Sequence, residues 1–115
     1  MSILGLGIDI EEVSRFKEKE YQKNEKFYKN IFTSDEIKYC LKKDDPYPHF
    51  TGKFCAKEAF IKATGDTIVK LLDIEISNVN GQPQLKFKTD LEIMLSISHT
   101  SKYATAIVVI EKKWF

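Results

Sequence analysis

Cysteine, long apolar runs and net charge are all scarce in this chain, and each scarcity excludes a class of protein. Its two cysteines, Cys40 and Cys55, are too few for a disulfide framework or a metal-binding cluster. No apolar run approaches the roughly 20 residues that cross a bilayer, and the first residues lack the basic start and long apolar run of a secretory signal. We therefore expect a cytoplasmic protein with reduced thiols and no membrane partner.

The near balance of positive and negative charge restricts the kinds of partner that this chain can bind. Its length restricts the number of domains. A formal net charge of +1 gives no global positive field, which argues against nucleic acid as a partner. Hydrophobic residues make up 43% and charged residues 30% of the chain, as in an ordinary folded protein. The length of 115 residues suits one compact domain over 1–115, because two domains would each lack a sufficient core.

An alternating pattern opens the chain and predicts a β-strand. One side of this strand carries Leu4, Leu6, Ile8 and Ile10. The other side carries Ile3, Gly5, Gly7 and Asp9. Two glycines therefore clear space beside a carboxylate at the end of the strand, which is where a ligand can approach the backbone.

Three helices are predicted between residues 11 and 63. The segment 11–30 is rich in Lys and Glu and predicts one helix anchored by Val13, Phe16 and Phe27. The run Thr-Ser-Asp-Glu at 33–36 has the form of a capping box, so a second short helix should begin there and be broken by the prolines of 44–48. A third helix should span about 50–63 and end at Gly65.

The second half of the chain predicts strands. Segments 74–79 and 84–87 are joined through Asn80-Gly81, which is a hairpin signal. Two more strands cover about 93–98 and 103–111, with His99 in the turn between them. This order of elements predicts the α+β class, with a mainly antiparallel sheet packed with helices.

The third helix carries the strongest chemical pattern. At about 100° per residue, Thr51, Glu58 and Lys62 share one polar strip between two apolar stripes. Lys53 and Lys57 share a second strip. The four-residue spacing of Glu58 and Lys62, taken alone, is more commonly explained by an ion pair on a solvated surface. A helix that is apolar on two sides, however, is wedged between other elements, so its polar strips more readily line grooves.

Two carboxylates from different elements point to a metal. Asp9 and Glu58 are too few for a calcium cage and suit magnesium, which keeps waters and completes its shell with substrate phosphates. The lysines of the third helix, Lys53, Lys57 and Lys62, then indicate phosphate partners. Spacing alone leaves this phosphoryl chemistry a hypothesis.

A histidine and a basic strip have both structural and functional explanations. His99 lies just past a strand, where a lone histidine is more often structural. Arg15, Lys19, Lys23 and Lys26 recur at helical spacing. Interspersed glutamates favour a solvated face for this strip, and the functional alternative is a docking strip for an acidic partner, where charge raises the rate of encounter.

Three segments of the chain, in this order, resemble the motifs of one enzyme family. The segments are 7–16 (GIDIEEVSRF), 54–63 (FCAKEAFIKA) followed by Gly65, and 95–100 (LSISHT) with 103–106 (YATA). They resemble the opening, central and closing motifs of the bacterial holo-acyl-carrier-protein synthases, short trimeric members of the 4′-phosphopantetheinyl transferase superfamily. Together they cover nearly the whole chain.

The resemblance implies a fold, a reaction and a site. It implies the 4′-phosphopantetheinyl transferase fold, with coenzyme A and an apo-acyl carrier protein of fatty acid synthesis as substrates. Asp9 and Glu58 match the magnesium ligands. Lys62 matches a lysine near the pyrophosphate that stabilises or protonates the departing adenosine 3′,5′-bisphosphate, so the implied catalytic residues are Asp9, Glu58 and Lys62. The family is typically a homotrimer with each site between neighbouring subunits.

The resemblance also implies binding residues. The positions that match contacts to coenzyme A are Lys53, Lys57, Lys62, Gly65 and His99. Lys53 departs from the family motif, which more often has Arg, so a bidentate contact to phosphate is lost there. The carrier-docking helix matches the basic strip, Arg15, Lys19, Lys23 and Lys26, in basic character more than in individual contacts.

Two other functions remain open at this level. A non-catalytic module that binds acyl carrier protein would use the basic strip but leaves Asp9, Glu58 and Lys62 unexplained. Another magnesium-dependent phosphotransfer enzyme would use all three, although the chain has no P-loop for nucleoside triphosphates. A small RNA-binding domain is a distant third, because the chain lacks both positive charge and an aromatic-rich strand motif.

Overall fold

The fold is an antiparallel sheet crossed by one long helix, with short helices on the far side of that helix. The computed structural model describes residues 2–113. The strands are β1 (Ile3–Glu12), β2 (Glu75–Val79), β3 (Gln82–Lys86), β4 (Glu92–His99) and β5 (Tyr103–Glu111). The helices are α1 (Ser14–Lys17), α2 (Glu25–Lys29), α3 (Ser34–Leu41) and α4 (Tyr47–Thr64), with 3-10 turns at Tyr21–Lys23 and Leu71–Asp73. The predicted α+β class is confirmed.

Two antiparallel units make up the β structure of the described residues. The main sheet has the order β1-β5-β4, and β2 and β3 form a separate hairpin. Both neighbouring pairs in the main sheet are antiparallel, and Asp9 pairs with Ala106, which pairs with Ile97 on β4. Among residues 2–113, no helix is both long enough and apolar enough to cross a bilayer.

The main core depends on a close approach between α4 and β1. A Cβ atom on Gly5 would overlap the Ala63 carbonyl, and one on Gly7 would overlap the Ala59 carbonyl, so only glycine lets the two backbones meet. The space beside Asp9 is therefore filled by α4, and the expectation that a ligand approaches the strand backbone there is wrong. The strand also continues past Asp9, to Glu12.

A second cluster, of aromatic residues, packs on the other side of α4. Phe50 and Phe54 of α4 are buried against Phe16, Tyr28 and Phe32. The ring centroids of Phe16 and Phe54 are 5.4 Å apart, and those of Tyr28 and Phe50 are 4.7 Å apart. The two apolar sides predicted for this helix are thus both buried, one against the sheet and one against the short helices.

The prediction of one helix over 11–30 is wrong. β1 extends to Glu12, which pairs with Tyr103, and the rest of the segment is α1, a 3-10 turn and α2. The chain breaks after α1 because Tyr28 pulls it inward: the Tyr28 hydroxyl lies 2.9 Å from the Phe16 carbonyl oxygen and 2.7 Å from the Lys19 carbonyl oxygen. Tertiary hydrogen bonds therefore override a local helical pattern.

Local signals at element ends are confirmed. Thr33 and Glu36 form the predicted capping box of α3, and Asn80-Gly81 turns the hairpin with both residues at positive φ. Gly65 ends α4 in the left-handed conformation, with φ of 66°. The helix begins earlier than predicted, at Tyr47, because Pro48 is accepted in a first helical turn, where its missing N–H is not needed.

A buried ion pair joins α3, α4 and the hairpin. The Lys57 ammonium donates to the Glu36 carboxylate at 2.7 Å, to the Ile31 carbonyl at 2.8 Å and to the Leu71 carbonyl at 3.0 Å. Glu36 in turn accepts the backbone N–H of Ile76 at 2.7 Å. Both side chains are fully buried, so each charge depends on the other for compensation.

We expect Lys57→Met to lower the free energy of unfolding by about 3–5 kcal/mol, because it leaves the Glu36 carboxylate buried without its counter-charge. Urea denaturation followed by circular dichroism measures the change. Lys42→Met, at an exposed position just after α3, is the matched control and should shift stability by less than about 0.5 kcal/mol. Equal effects of the two substitutions would contradict a role for the buried pair.

Candidate active site

A carboxylate of β1 meets an ammonium of α4. The Lys62 ammonium donates to Asp9 Oδ1 at 3.0 Å and to the Ile8 carbonyl at 3.0 Å. The Thr105 hydroxyl of β5 donates to the Asp9 carbonyl at 2.8 Å and so fixes the Asp9 backbone from the neighbouring strand. The Asp9 side chain is mostly buried, with 11% exposed, whereas half of the Lys62 side chain is exposed. The hydrogen bond to Asp9, more than any other contact, raises the pKa of Lys62.

Glu58 lies one helical turn before Lys62 and faces the same carboxylate. Burial raises the pKa of Glu58, and the charge of Asp9 raises it further, while Lys62 and Arg15 oppose the shift. Asp9 and Glu58 thus lie on the packed elements β1 and α4, within electrostatic reach of each other. The positive charges of Lys62 and Arg15 therefore only partly offset the effects of burial and of the Asp9 charge on Glu58.

The residues present fit a magnesium ion. Asp9 Oδ2 is buried and has no hydrogen-bond partner among the described residues, so this oxygen is left for a cation. Residues 2–113 contain no group of three or more His, Cys, Asp or Glu side chains able to hold a metal ion. Two carboxylates are the set expected for magnesium, whose remaining ligands are waters and substrate phosphates.

A second concave feature lies beside β4, at the opposite edge of the sheet from β1. A cavity of about 210 Å³ is bounded by α3, α4, β4 and the hairpin. Two residues predicted from the sequence line it together, Lys53 and His99, although His99 is the last residue of β4 and not in a turn. The Lys53 ammonium donates to the Ile76 carbonyl at 2.9 Å and to Asn78 Oδ1 at 3.0 Å.

These two features face opposite sides of α4. The side chains of Lys53 and Glu58 are separated by about 140° around a helix with 3.6 residues per turn. In the sheet, β1 with Asp9 and β4 with His99 are two strand spacings or about 9.6 Å apart, with β5 between them. His99 lies two residues beyond Ile97, the residue of β4 that is in register with Asp9. The structure therefore groups Asp9, Glu58 and Lys62 in one place and Lys53 and His99 in another.

Two other predicted contacts have different surroundings. The Lys57 ammonium uses all three of its N–H groups on Ile31, Glu36 and Leu71, so a phosphate contact would need one of these bonds to break. Gly65 caps α4 at φ of 66°, and a Cβ there would meet no atom within 4 Å. Glycine at this position is explained by the left-handed backbone at the end of α4, which glycine adopts without strain.

The predicted basic strip is divided among three elements. Arg15 is on α1, where it pairs with Glu11 at 3.0 Å and lies 4.9 Å from the centroid of the Phe54 ring. Lys19 follows α1 and lies over the Phe27 ring, Lys23 ends the 3-10 turn, and Lys26 is on α2. These residues do not share one helical face, so that part of the prediction is wrong.

The far side of the main sheet is apolar and exposed. On β1, the side chains of Leu4, Leu6, Ile8 and Ile10 are each more than half exposed. The neighbouring strands continue this surface. Leu6 pairs with Val109 of β5, and Val109 pairs in turn with Met94 of β4. Ile8 pairs with Ile107 of β5. We call this surface, made of β1 with Val109, Ile107 and Met94, the apolar sheet face. Contiguous apolar surfaces of this kind mark contacts with other protein.

Sequence reasoning missed two residues of the cavity. His49 lines it, with a ring centroid 5.0 Å from that of His99, and Asn78 lines it from the hairpin. The spacing of His49 and Lys53, four residues apart on α4, carried a usable signal for His49. Nothing in the sequence marks Asn78, because its position depends on how the hairpin packs against α4.

Comparisons with known proteins show which family this chain resembles. Residues 5–108 match the family model described as "4'-phosphopantetheinyl transferase superfamily". The chain is 38% identical over 119 aligned residues to the holo-[acyl-carrier-protein] synthase of Chlamydia pneumoniae, covering 95% of this chain and 98% of that protein. It is 41% identical over 116 aligned residues to the enzyme of the same name from Chloroherpeton thalassium, covering 92% and 96%.

Solved structures show the same likeness. The holo-(acyl-carrier-protein) synthase from Bacillus anthracis, in complex with CoA (3',5'-ADP), superposes with a TM-score of 0.88 at 35% identity, covering 98% of this chain and 100% of that chain. The Helicobacter pylori holo-[acyl-carrier-protein] synthase, in complex with coenzyme A, superposes with a TM-score of 0.81 at 27% identity, covering 92% of this chain and 99% of that chain. With a family model over most of its length and relatives of matching size, the chain belongs to the holo-[acyl-carrier-protein] synthases of the 4′-phosphopantetheinyl transferase superfamily.

Proposed function

We propose that this chain transfers the 4′-phosphopantetheine arm of coenzyme A to a serine of an apo-acyl carrier protein and releases adenosine 3′,5′-bisphosphate. Membership of the family makes it a phosphopantetheinyl transferase; the acceptor, product and metal are the proposal. The observation that carries it is the convergence of Asp9, Glu58 and Lys62, with one buried Asp9 oxygen left unpaired. Those groups suit a pyrophosphate substrate with a divalent ion.

Asp9 and Glu58 are the residues that would hold magnesium. When bound, the ion would neutralise charge on the pyrophosphate and polarise the phosphorus. The chain keeps both carboxylates in place before any ion binds: Thr105 and the strand ladder hold Asp9, and α4 holds Glu58. Such preorganisation avoids reorganising the protein at the moment of reaction.

The transfer step needs one proton moved and one leaving group stabilised. The serine oxygen bonds to the phosphorus that carries the pantetheine arm, and the bond from that phosphorus to the bridging oxygen of the pyrophosphate breaks. Glu58, one helical turn before Lys62 on α4, is placed to accept the serine proton. Lys62, with half of its side chain exposed, is placed to stabilise or protonate the departing phosphate.

The proposal includes a homotrimer with each site between two copies. Lys53 and His99 face away from Asp9 and Glu58 across α4, so one coenzyme A molecule reaches both groups most directly if they come from different copies. The apolar sheet face supplies a surface for that contact, and its burial removes an exposed apolar patch from water.

The acidic carrier protein would dock near Arg15. This residue is close to the catalytic group, because its charge acts on Glu58 and its guanidinium pairs with Glu11 two residues after Asp9. Lys19, Lys23 and Lys26 extend the positive surface over the following turns and add long-range attraction to an acidic partner. We assign the reaction to fatty acid synthesis in the cytoplasm, as the resemblance implies.

Asp9→Asn should lower the transfer rate by at least about 100-fold, because it removes one of two charges that hold the metal. Mass spectrometry of apo-acyl carrier protein, incubated with chain, coenzyme A and magnesium, detects the phosphopantetheine adduct directly. EDTA should abolish the adduct in the wild type. Glu92→Gln, an exposed carboxylate change on β4, is the control and should leave the rate unchanged. Full turnover by Asp9→Asn, or by the wild type in EDTA, contradicts the metal assignment.

The stability of the metal-free chain should fall as pH rises through the pKa of Glu58. The folded-state pKa is raised, chiefly by burial, so the folded chain binds this proton more tightly than the unfolded chain. That contribution is complete below the unfolded value of about 4.3 and is lost above the raised one. Urea denaturation between pH 4 and 7.5 in EDTA measures the slope. Glu58→Gln should flatten it, and an unchanged slope in that variant would assign the effect elsewhere.

Ile8→Lys should dissociate the assembly and abolish transfer, because it places a charge at the centre of the apolar sheet face. Light scattering gives the mass of the species, and the adduct assay gives the rate. Ile68→Lys is the matched control, since Ile68 is 83% exposed but lies outside the sheet. A wild-type chain that is monomeric and fully active would refute the shared site.

A further inference from the structure

The cavity beside α4 is built for an anion. Among residues 2–113, those that line it include Lys53, His49 and His99 but no carboxylate. Its volume of about 210 Å³ is below the roughly 300–1,000 Å³ that enclose a whole drug-sized ligand. The cavity therefore suits one charged end of a larger molecule.

The buried donors of the cavity are fixed and incompletely used. Lys53 is 4% exposed, and its bonds to Ile76 and Asn78 take two of its three N–H groups. Because an ammonium only donates, the Asn78 atom that faces Lys53 is the amide oxygen, which leaves the Asn78 NH2 group for another acceptor. The Lys53 ammonium also lies 4.4 Å from the centroid of the Tyr39 ring, which restricts its position.

His49 brings a further donor to the same place. It is the third residue of α4, in the first turn, where backbone N–H groups have no acceptor within the helix. Its imidazole packs edge-on to that of His99, with an interplanar angle of 68°. Two imidazoles and a buried ammonium thus line one small cavity.

We propose that His49 is a further ligand-binding residue of this enzyme, and that it takes up a proton when a phosphate monoester enters the cavity that it lines with Lys53 and His99. The inference rests on the proposed function, in which the pyrophosphate lies at Asp9 and Lys62. The remaining phosphate of coenzyme A is the 3′-monoester, which carries up to two negative charges. His49 thereby makes recognition of that group dependent on pH.

The charges around His49 determine the direction of this dependence. The groups that face it are His99 from β4, Lys43 and Asp45 from the loop before α4, Lys53 from α4 and Tyr39 from α3. Burial lowers the pKa of His49, and His99, Lys43 and Lys53 lower it further, against Asp45. His49 is therefore neutral at pH 7 before a ligand binds, and an incoming dianion favours its protonation. Affinity for the monoester rises as pH falls from 8 to 6.

Two ligands and two variants test this inference. Calorimetry with magnesium measures the binding of coenzyme A and of dephospho-coenzyme A, which lacks the 3′-phosphate, at pH 6 and pH 8. His49→Phe should weaken coenzyme A by roughly tenfold at pH 6, the loss expected for one hydrogen bond to a charged group. It should leave dephospho-coenzyme A unchanged. His49→Gln keeps a donor without a titrating group and should retain binding while losing most of the pH dependence.

Proton uptake provides an independent measurement. Titrations of the wild type in two buffers of different ionisation enthalpy should show uptake with coenzyme A and less with the dephospho form. Equal losses for both ligands in His49→Phe, or pH dependence unchanged in both variants, would overturn the role of His49 while leaving the proposed function intact. A wild-type chain that binds neither ligand would instead refute the proposed function, and the inference with it.

Discussion

The contact between α4 and β1 is the constraint on which the rest of the structure depends. Gly5 and Gly7 let the helix backbone lie directly on the strand, and a methyl group at either position would prevent it. The close approach brings Lys62 into hydrogen-bond contact with Asp9, and Glu58 within its electrostatic reach. The side of α4 that carries Lys53 and His49 faces β4 and the hairpin. One helix thus bears both groups of polar residues.

Burial on both sides of α4 explains why its charges behave so differently from one another. Lys57 is enclosed and compensated by Glu36, so it acts as a structural tie. Lys53 is enclosed but keeps one donor beside a cavity, and Lys62 is half exposed beside a carboxylate. A lysine of α4 therefore stabilises the fold, lines a cavity or lies beside a carboxylate of the candidate site, depending on the side of the helix that carries it.

Much of the fold was predictable because it is set by local chemistry. The capping box at Thr33, the Asn80-Gly81 turn and the Gly65 stop each act within a few residues, and all three are confirmed. The helix predicted over 11–30 failed because Tyr28 captures distant carbonyls, which no local pattern reveals. In the site, Asp9, Glu58 and Lys62 followed from periodicity and motifs. The saturation of Lys57 was hidden because its partner Glu36 is 21 residues away.

The enclosed pair of Lys57 and Glu36 also constrains how this sequence can change over time. Glu36 serves the start of α3, the ammonium of α4 and the backbone of β2 at once, so neither charge can be replaced alone without stranding several partners. Substitution at position 36 or 57 is therefore tolerable chiefly as a joint event. Descendants of this chain should vary at the two positions together or at neither, even though the pair lies outside the site where chemistry would select for it.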